Sequence, residues 1–200
     1  MPTAPLTIRE QITNRLRDDL VSGEFPAGAT LRETELASKL GVSRGPIRDA
    51  FIQLSHEGFL TYQANRGVTV RDPPNPEDRG FITMVRQQIE GYVVEKGIAE
   101  LDDVGIALVE RALRRLKDAC DSCEANRIAQ CDIAFHEAIL IACGGEDFVG
   151  AWRLLCSRML LTYTRLENYE QSYQEHAKIF ESLQTKKARA TIAALKANIK

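Results

Sequence analysis

The 200-residue chain reads as mainly α, with three helices and a small β-hairpin followed by an all-α helical bundle. Three observations carry that reading. Apolar residues recur at helical spacing along most of the chain. Strand-like patterning is confined to a short stretch around residues 59–71. One proline-rich break, Asp72-Pro73-Pro74-Asn75-Pro76, can continue neither helix nor sheet, and no proline follows it.

The first helix is expected over Ile8–Ser22, where Ile8, Ile12, Leu16 and Leu20 stand at i+4 spacing and Gly23 follows the last turn. Glu24-Phe25-Pro26-Ala27-Gly28 is a turn, and Thr30 and Glu33 have the spacing of a capping box for the second helix. Leu36, Ala37 and Leu40 form the apolar stripe of that helix, and Gly41 stops it. Ser43 suits the N-cap of a third helix, and Pro46 is tolerated in its first turn, whose N–H groups lack helical partners. Ile47, Ala50, Phe51 and Leu54 then share one face and pack on the second helix, while Arg44 and Arg48, four apart, share another. A tight turn between two short helices, with paired guanidinium groups facing outward, suits a DNA major groove. Gly58 ends the third helix; Phe59–Tyr62 and Val68–Arg71 read as strands joined by the hairpin Ala64-Asn65-Arg66-Gly67. The hairpin is a wing, with Arg66 at its tip placed for a minor groove or a phosphate. This is the pattern of a winged helix-turn-helix.

Charge supports it locally rather than in bulk. The formal net charge is -2, and residues 1–72 hold nine Lys+Arg against nine Asp+Glu. Arg32, Lys39, Arg44, Arg48, Arg66 and Arg71 nevertheless gather around the motif, away from Asp18, Asp19 and Glu24. A basic face on a neutral domain suffices for phosphate contacts. No apolar run approaches a membrane-spanning length, and MPTAPLTIREQ lacks the basic and apolar regions of a secretory leader, so a cytoplasmic location is expected. Five cysteines, an odd number on helix-like segments, argue against a disulfide framework, and Cys120-x-x-Cys123 has no second pair for a zinc ribbon.

The proline cluster divides the chain into a DNA-binding domain at 1–72, a linker at 73–77 and a helical domain at 78–200. Helices are expected over Glu77–Leu101, Asp103–Cys120, Glu124–Cys143, Glu146–Leu166 and Tyr169–Lys200, the last broken near Gln184–Lys187. Within CDIAFHEAIL, Asp132 and His136 stand four apart on one helical face, a spacing at which a carboxylate and an imidazole can share a metal such as Zn, Ni or Mn. A helix histidine beside a solvated carboxylate accounts for the spacing equally simply.

GVSRGPIRDAF, preceded by LRETELASKL and followed by LSHEGFLTYQANRGVTV, resembles the winged helix-turn-helix of GntR-type bacterial transcription regulators over about Ile8 to Val70. The resemblance implies that Ser43, Arg44, Pro46, Arg48 and Gly67 sit at the DNA. Arg32, Thr34, Gly45 and Arg66 complete the expected contact set. Thr34 stands where the family frequently has arginine, and a threonine there reaches a phosphate rather than a base. D-x-x-x-H followed by QEHAKIFESL resembles the effector-binding bundle of the FCD branch of that family, from about Pro76 onward. There one Asp and three His hold a divalent metal beside a small carboxylate effector. Asp132, His136 and His176 match three of these positions, and Asn198 stands at the fourth in place of histidine. An amide oxygen is a weaker and harder ligand than imidazole, so the exchange lowers affinity, favours a more oxygen-loving metal, or leaves the site empty. Arg86, with Glu90, matches an R-x-x-x-E pattern whose arginine faces the effector pocket. A guanidinium there can clamp a carboxylate, and an i,i+4 surface ion pair with Glu90, needing no ligand, accounts for the same spacing.

These implications describe a repressor that binds a palindromic operator as a homodimer and responds to a small organic acid. Two rivals stand beside it. One is a DNA-binding protein whose bundle only dimerises. The other is a metal-dependent enzyme, for which the chain offers no nucleophile motif such as G-x-S-x-G and no phosphate-cradling glycine loop.

Overall fold

The computed structural model describes residues 6–63, 67–161 and 168–200. The chain forms two compact units, one running to Pro74 and taking in residues 157–161, the other made of the rest of the described chain from Asn75.

In the first unit, α1 (Ile8–Val21) starts at Thr7, whose side chain accepts from Glu10 N while the Glu10 carboxylate accepts from Thr7 N. This capping box occupies the orphan donors of the first turn. Ile12, Leu16 and Leu20 are buried as their spacing requires, whereas Ile8 stays exposed. β1 (Thr30–Leu31) precedes α2 (Glu33–Leu40) and α3 (Arg44–His56); β2 (Leu60–Gln63) and β3 (Gly67–Val70) complete the unit. The three strands form an antiparallel sheet in the order β1-β3-β2, with Thr30 opposite Thr69 and Thr61 on the other side of Thr69.

β1 overturns the expected capping box at Thr30. Pairing with β3 commits Thr30 to extended structure, and the N-cap of α2 is Arg32, with no side-chain capping bond. Gly41 ends α2 at φ 67, and its N–H reaches Ala37 O and Ser38 O, so the turn between the two helices is short because only glycine adopts that conformation cheaply. Ser43 is the N-cap of α3 by backbone but makes no side-chain capping bond. Ile47, Ala50, Phe51 and Leu54 are buried as one face, and α1 is tied to the end of α3 by Arg17 donating to both Glu57 oxygens at 2.9 and 2.8 Å. At the start of β3, Gly67 has φ +91, and a Cβ there would lie 2.8 Å from Leu31 O; the approach of β1 demands glycine. Residues 64–66, which hold Arg66 and all of the expected hairpin except Gly67, lie outside the described residues.

The second unit opens with α4 (Pro76–Gly97). Asn75 caps it, accepting from Asp78 N at 2.8 Å, and Pro76 takes the first helical position, where its missing N–H costs nothing. The expected linker over 73–77 is therefore shortened: its last proline starts a helix instead of separating two. A 3-10 turn (Ile98–Glu100) leads to α5 (Asp103–Asp121), α6 (Ala125–Ala142), α7 (Glu146–Leu160), α8 (Tyr169–Gln184) and α9 (Ala188–Asn198). The part of the expected fourth helix beyond 161 lies outside the described residues. Val94, Val109, Phe135, Leu140, Trp152 and Ile179 are among the residues that form the core. α9 does not fray at its end: Ile199 is buried and Gln87 donates to Lys196 O and Ile199 O at 3.2 and 2.9 Å. All five cysteines are free. Among the described residues no helix is long and apolar enough to cross a membrane.

Candidate functional site

Two sites emerge, one in each unit. In the first, Arg32, Thr34, Arg44, Arg48 and Gly67 line one groove of about 810 Å³. The apolar face of α3 turns inward, so Arg44 and Arg48 turn outward, with 59 and 58 % of their side chains exposed. Ser43 and Gly45 are also exposed and Pro46 is half-buried, all at the first turn of α3 but off the groove wall. Arg66 lies outside the described residues.

Glu33, which the sequence reading assigned to a cap, is the organising group of this face. Its Oε1 accepts from Arg48 Nε at 2.9 Å, and its Oε2 accepts from Arg48 Nη2 at 3.0 Å and Arg44 Nη2 at 3.1 Å. The Arg48 fork is bidentate, the strongest geometry for this pair. The Arg48 hydrogen bonds, ahead of the smaller Arg44 effects and against slight burial, hold the Glu33 carboxyl below its ordinary pKa. Both arginines are thus ordered side by side, as two-point recognition of a base edge or of adjacent phosphates requires. Spacing alone gave no signal for Glu33, because the contact crosses from α2 to α3 through a turn whose angle only the fold determines.

In the second unit, the structure brings together all four positions singled out in the bundle. Donor atoms of Asp132 and His136 on α6 and His176 on α8 lie within 4.8 Å of one another. Asn198 at the end of α9 joins them, its Oδ1 2.9 Å from His136 Nε2. Both histidines are 1 % exposed and Asp132 20 %.

The proton inventory of these side chains tests whether they suit a cation. His136 Nδ1 lies 2.7 Å from Glu90 Oε2. Burial works against the charge on Glu90, but His136 and Arg86 outweigh it and keep its pKa low, so this oxygen is an acceptor and the His136 proton sits at Nδ1. In the neutral ring the remaining nitrogen, Nε2, presents a lone pair to Asn198 Oδ1, and in the cation it donates to that oxygen. His176 repeats the pattern: Nδ1 donates to Ser172 O at 2.8 Å, and buried Nε2 lies 3.0 Å from Asp132 Oδ1 without the alignment of a hydrogen bond. With neutral rings the two nitrogen–oxygen pairs face each other acceptor to acceptor, an arrangement that either a proton on each ring or a metal ion between the atoms resolves. The same hunger for charge shows in the titration of the pair. Burial disfavours both ions, yet each stabilises the other, raising the His176 pKa and holding Asp132 below the carboxylate range. The residues present fit a divalent metal.

Around this cluster, Glu90 is the hub that pattern reading undervalued. Arg86 Nε and Nη2 donate to Glu90 Oε1 at 3.3 and 3.2 Å, and Trp152 Nε1 donates to the same oxygen at 2.7 Å. A carboxylate behind a histidine ligand fixes the ring's tautomer and orientation. Arg86, expected to meet an effector, is 5 % exposed, pairs with Glu90 and lies over the Trp152 ring, 5.6 Å from its centroid. Trp152, the chain's one tryptophan, is fully buried, and nothing in its local pattern marks it as a donor to this network.

A winged helix-turn-helix with ordered, exposed arginines, joined in one chain to a helical bundle, defines a DNA-binding transcriptional regulator. The chain belongs to the GntR family: residues 8–70 match the model for bacterial regulatory proteins of the gntR family, and residues 82–200 match the FCD domain. It is 28 % identical over 185 residues to the HTH-type transcriptional regulator YdhC of Bacillus subtilis, covering 90 % of this chain and 82 % of that protein. It is 25 % identical over 187 residues to the HTH-type transcriptional repressor RspR of Escherichia coli, covering 92 and 81 %. Its fold matches the solved structure of Escherichia coli McbR/YncC with a TM-score of 0.77 at 20 % identity, covering 98 and 94 % of the two chains. The family and these relatives are regulators, not enzymes.

Proposed function

We propose that the protein is a cytoplasmic repressor. Its first unit binds a palindromic operator as half of a homodimer, and its second unit holds a divalent metal, Zn, Ni or Mn, together with a small organic acid. The observation that carries the DNA-reading assignment is the Glu33-ordered pair, Arg44 and Arg48, exposed on the same groove as Gly67. The repressor-named relative supports the direction of control. The converging lone pairs of His136, His176, Asp132 and Asn198 support the metal. In the second unit, His136 is oriented by Glu90 and His176 by the Ser172 carbonyl, so both rings are set before an ion arrives. Once bound, the metal would polarise and hold an anionic ligand. Arg86, buried one helical turn from Glu90, supplies the cationic neighbour of an effector carboxylate. An effector that prefers one state of the dimer then changes operator affinity by its differential binding energy, typically about 1–3 kcal/mol.

Mobility shift with the DNA upstream of the protein's own gene tests the reading. Arg44→Ala and Arg48→Ala are each expected to weaken operator binding by roughly 5- to 150-fold, the worth of one bidentate base contact. Undiminished binding by both variants removes α3 as the recognition helix.

A further inference from the structure

The amide of Asn198 can face the cluster with either end, and its partners decide which. Asn198 Nδ2 donates to Glu175 Oε2 at 3.4 Å, which leaves Oδ1 directed at His136 Nε2. Inverting the amide would give His136 Nε2 a hydrogen bond and cap the cluster with a donor, but it would set Oδ1 against the Glu175 carboxylate, acceptor on acceptor. Glu175 is itself fixed: its Oε1 accepts from Gln171 Nε2 at 3.1 Å and from Lys200 Nζ at 3.2 Å. Glu175 is thus locked in the state that can only accept, and it stands one residue before His176 on the helix that carries that ligand.

We propose that Glu175 is a positioning residue for the metal centre. By accepting from the Asn198 amide nitrogen, it turns the amide oxygen inward and gives the centre two nitrogen and two oxygen donors. This rests on the metal reading above. A hard, neutral oxygen in place of a nitrogen narrows the usual advantage of Zn²⁺ over Mn²⁺, because imidazole suits the former and oxygen the latter. A neutral His136, the form that binds a metal, would accept a donor at Nε2 as readily as it would face an oxygen, so in that form the Glu175 carboxylate is what turns the Asn198 oxygen inward.

The test uses the full chain, stripped with a chelator, and measures Mn²⁺ and Zn²⁺ affinities by competition with a chromophoric chelator. Glu175→Gln permits the inverted amide, because glutamine can donate to Asn198 Oδ1; affinity for both ions is expected to fall about 10- to 100-fold, the usual effect of losing a supporting partner. In an Asn198→Asp background the same substitution has little effect, since a carboxylate presents oxygen whichever way it turns. Asn198→His raises the ratio of Zn²⁺ to Mn²⁺ affinity by roughly tenfold or more. The proposal is overturned if Glu175→Gln binds both ions as the parent does, or if its loss is equal in the Asn198→Asp background, which marks a merely structural role. Should Glu175→Gln fail to fold, Asn198→Leu carries the test: unchanged Mn²⁺ affinity removes the oxygen ligand and with it the role of Glu175. If the parent and Asn198→His take up neither ion, the metal reading itself fails. Loss of the Glu175 effect alone, with metal still bound, leaves that reading standing.

Discussion

Glu33 shows how one carboxylate shapes a DNA-reading face. Free arginines sample many rotamers and bind any phosphate, whereas a shared carboxylate holds Arg44 and Arg48 side by side and withdraws part of their charge from non-specific contacts. Glu33→Gln is therefore expected to strengthen binding to unrelated duplex several-fold and to reduce discrimination of the operator, with a salt slope steeper by about one phosphate contact. Fluorescence anisotropy with operator and scrambled DNA at two salt concentrations reads this out; an unchanged ratio of the two affinities contradicts it. Glu90 has a comparable place in the bundle, where one carboxylate takes donors from Arg86, His136 and Trp152 and leaves no part of its charge unmatched.

Among the elements, α4 is held by contacts at both ends. Asn75 caps its start, and at its other end Gly97 lies against the end of α6, where an added Cβ would sit 1.9 Å from Cys143 O. Backbone cannot yield that far without moving a helix. Gly97→Ala is expected to destabilise the protein by ~1–3 kcal/mol or more. Gly80→Ala in the same helix, where nothing lies within 4 Å, is neutral or stabilising by up to ~1 kcal/mol. Urea unfolding of the two variants separates close packing from helix propensity; equal effects at the two positions refute the packing account. The sheet teaches a related lesson. Two strands were legible from alternation in residues 59–71, but β1 was not, because a two-residue strand has no period to read and exists only through pairing with β3.

For the whole molecule, proposed two-fold symmetry makes a geometric demand on DNA. Recognition helices of a dimer reach half-sites about 34–36 Å apart, one duplex turn. Inserting five base pairs between operator half-sites is expected to abolish tight binding, and inserting ten not to restore it, because the second half-site then lies about 34 Å farther off on the same face. Sedimentation of the free protein should give a dimer. Monomeric protein that binds single half-sites as tightly as the palindrome would end the dimer proposal.

The sequence by itself determined the order of helices, the outward placement of Arg44 and Arg48 and the likeness to GntR regulators, because periodicity and local motifs are properties of neighbours along the chain. It also named Asp132, His136, His176 and Asn198 as a possible set, the first pair by spacing and the others through the family pattern. Only tertiary structure decided what those residues meet. Glu33 reaches two arginines across a turn, Glu90 joins α4 to α6 and α7, and Glu175 sets the amide of α9 from α8. Such contacts depend on the distances and angles between helices, and hydrogen-bond partners separated by tens of residues leave no trace in local spacing.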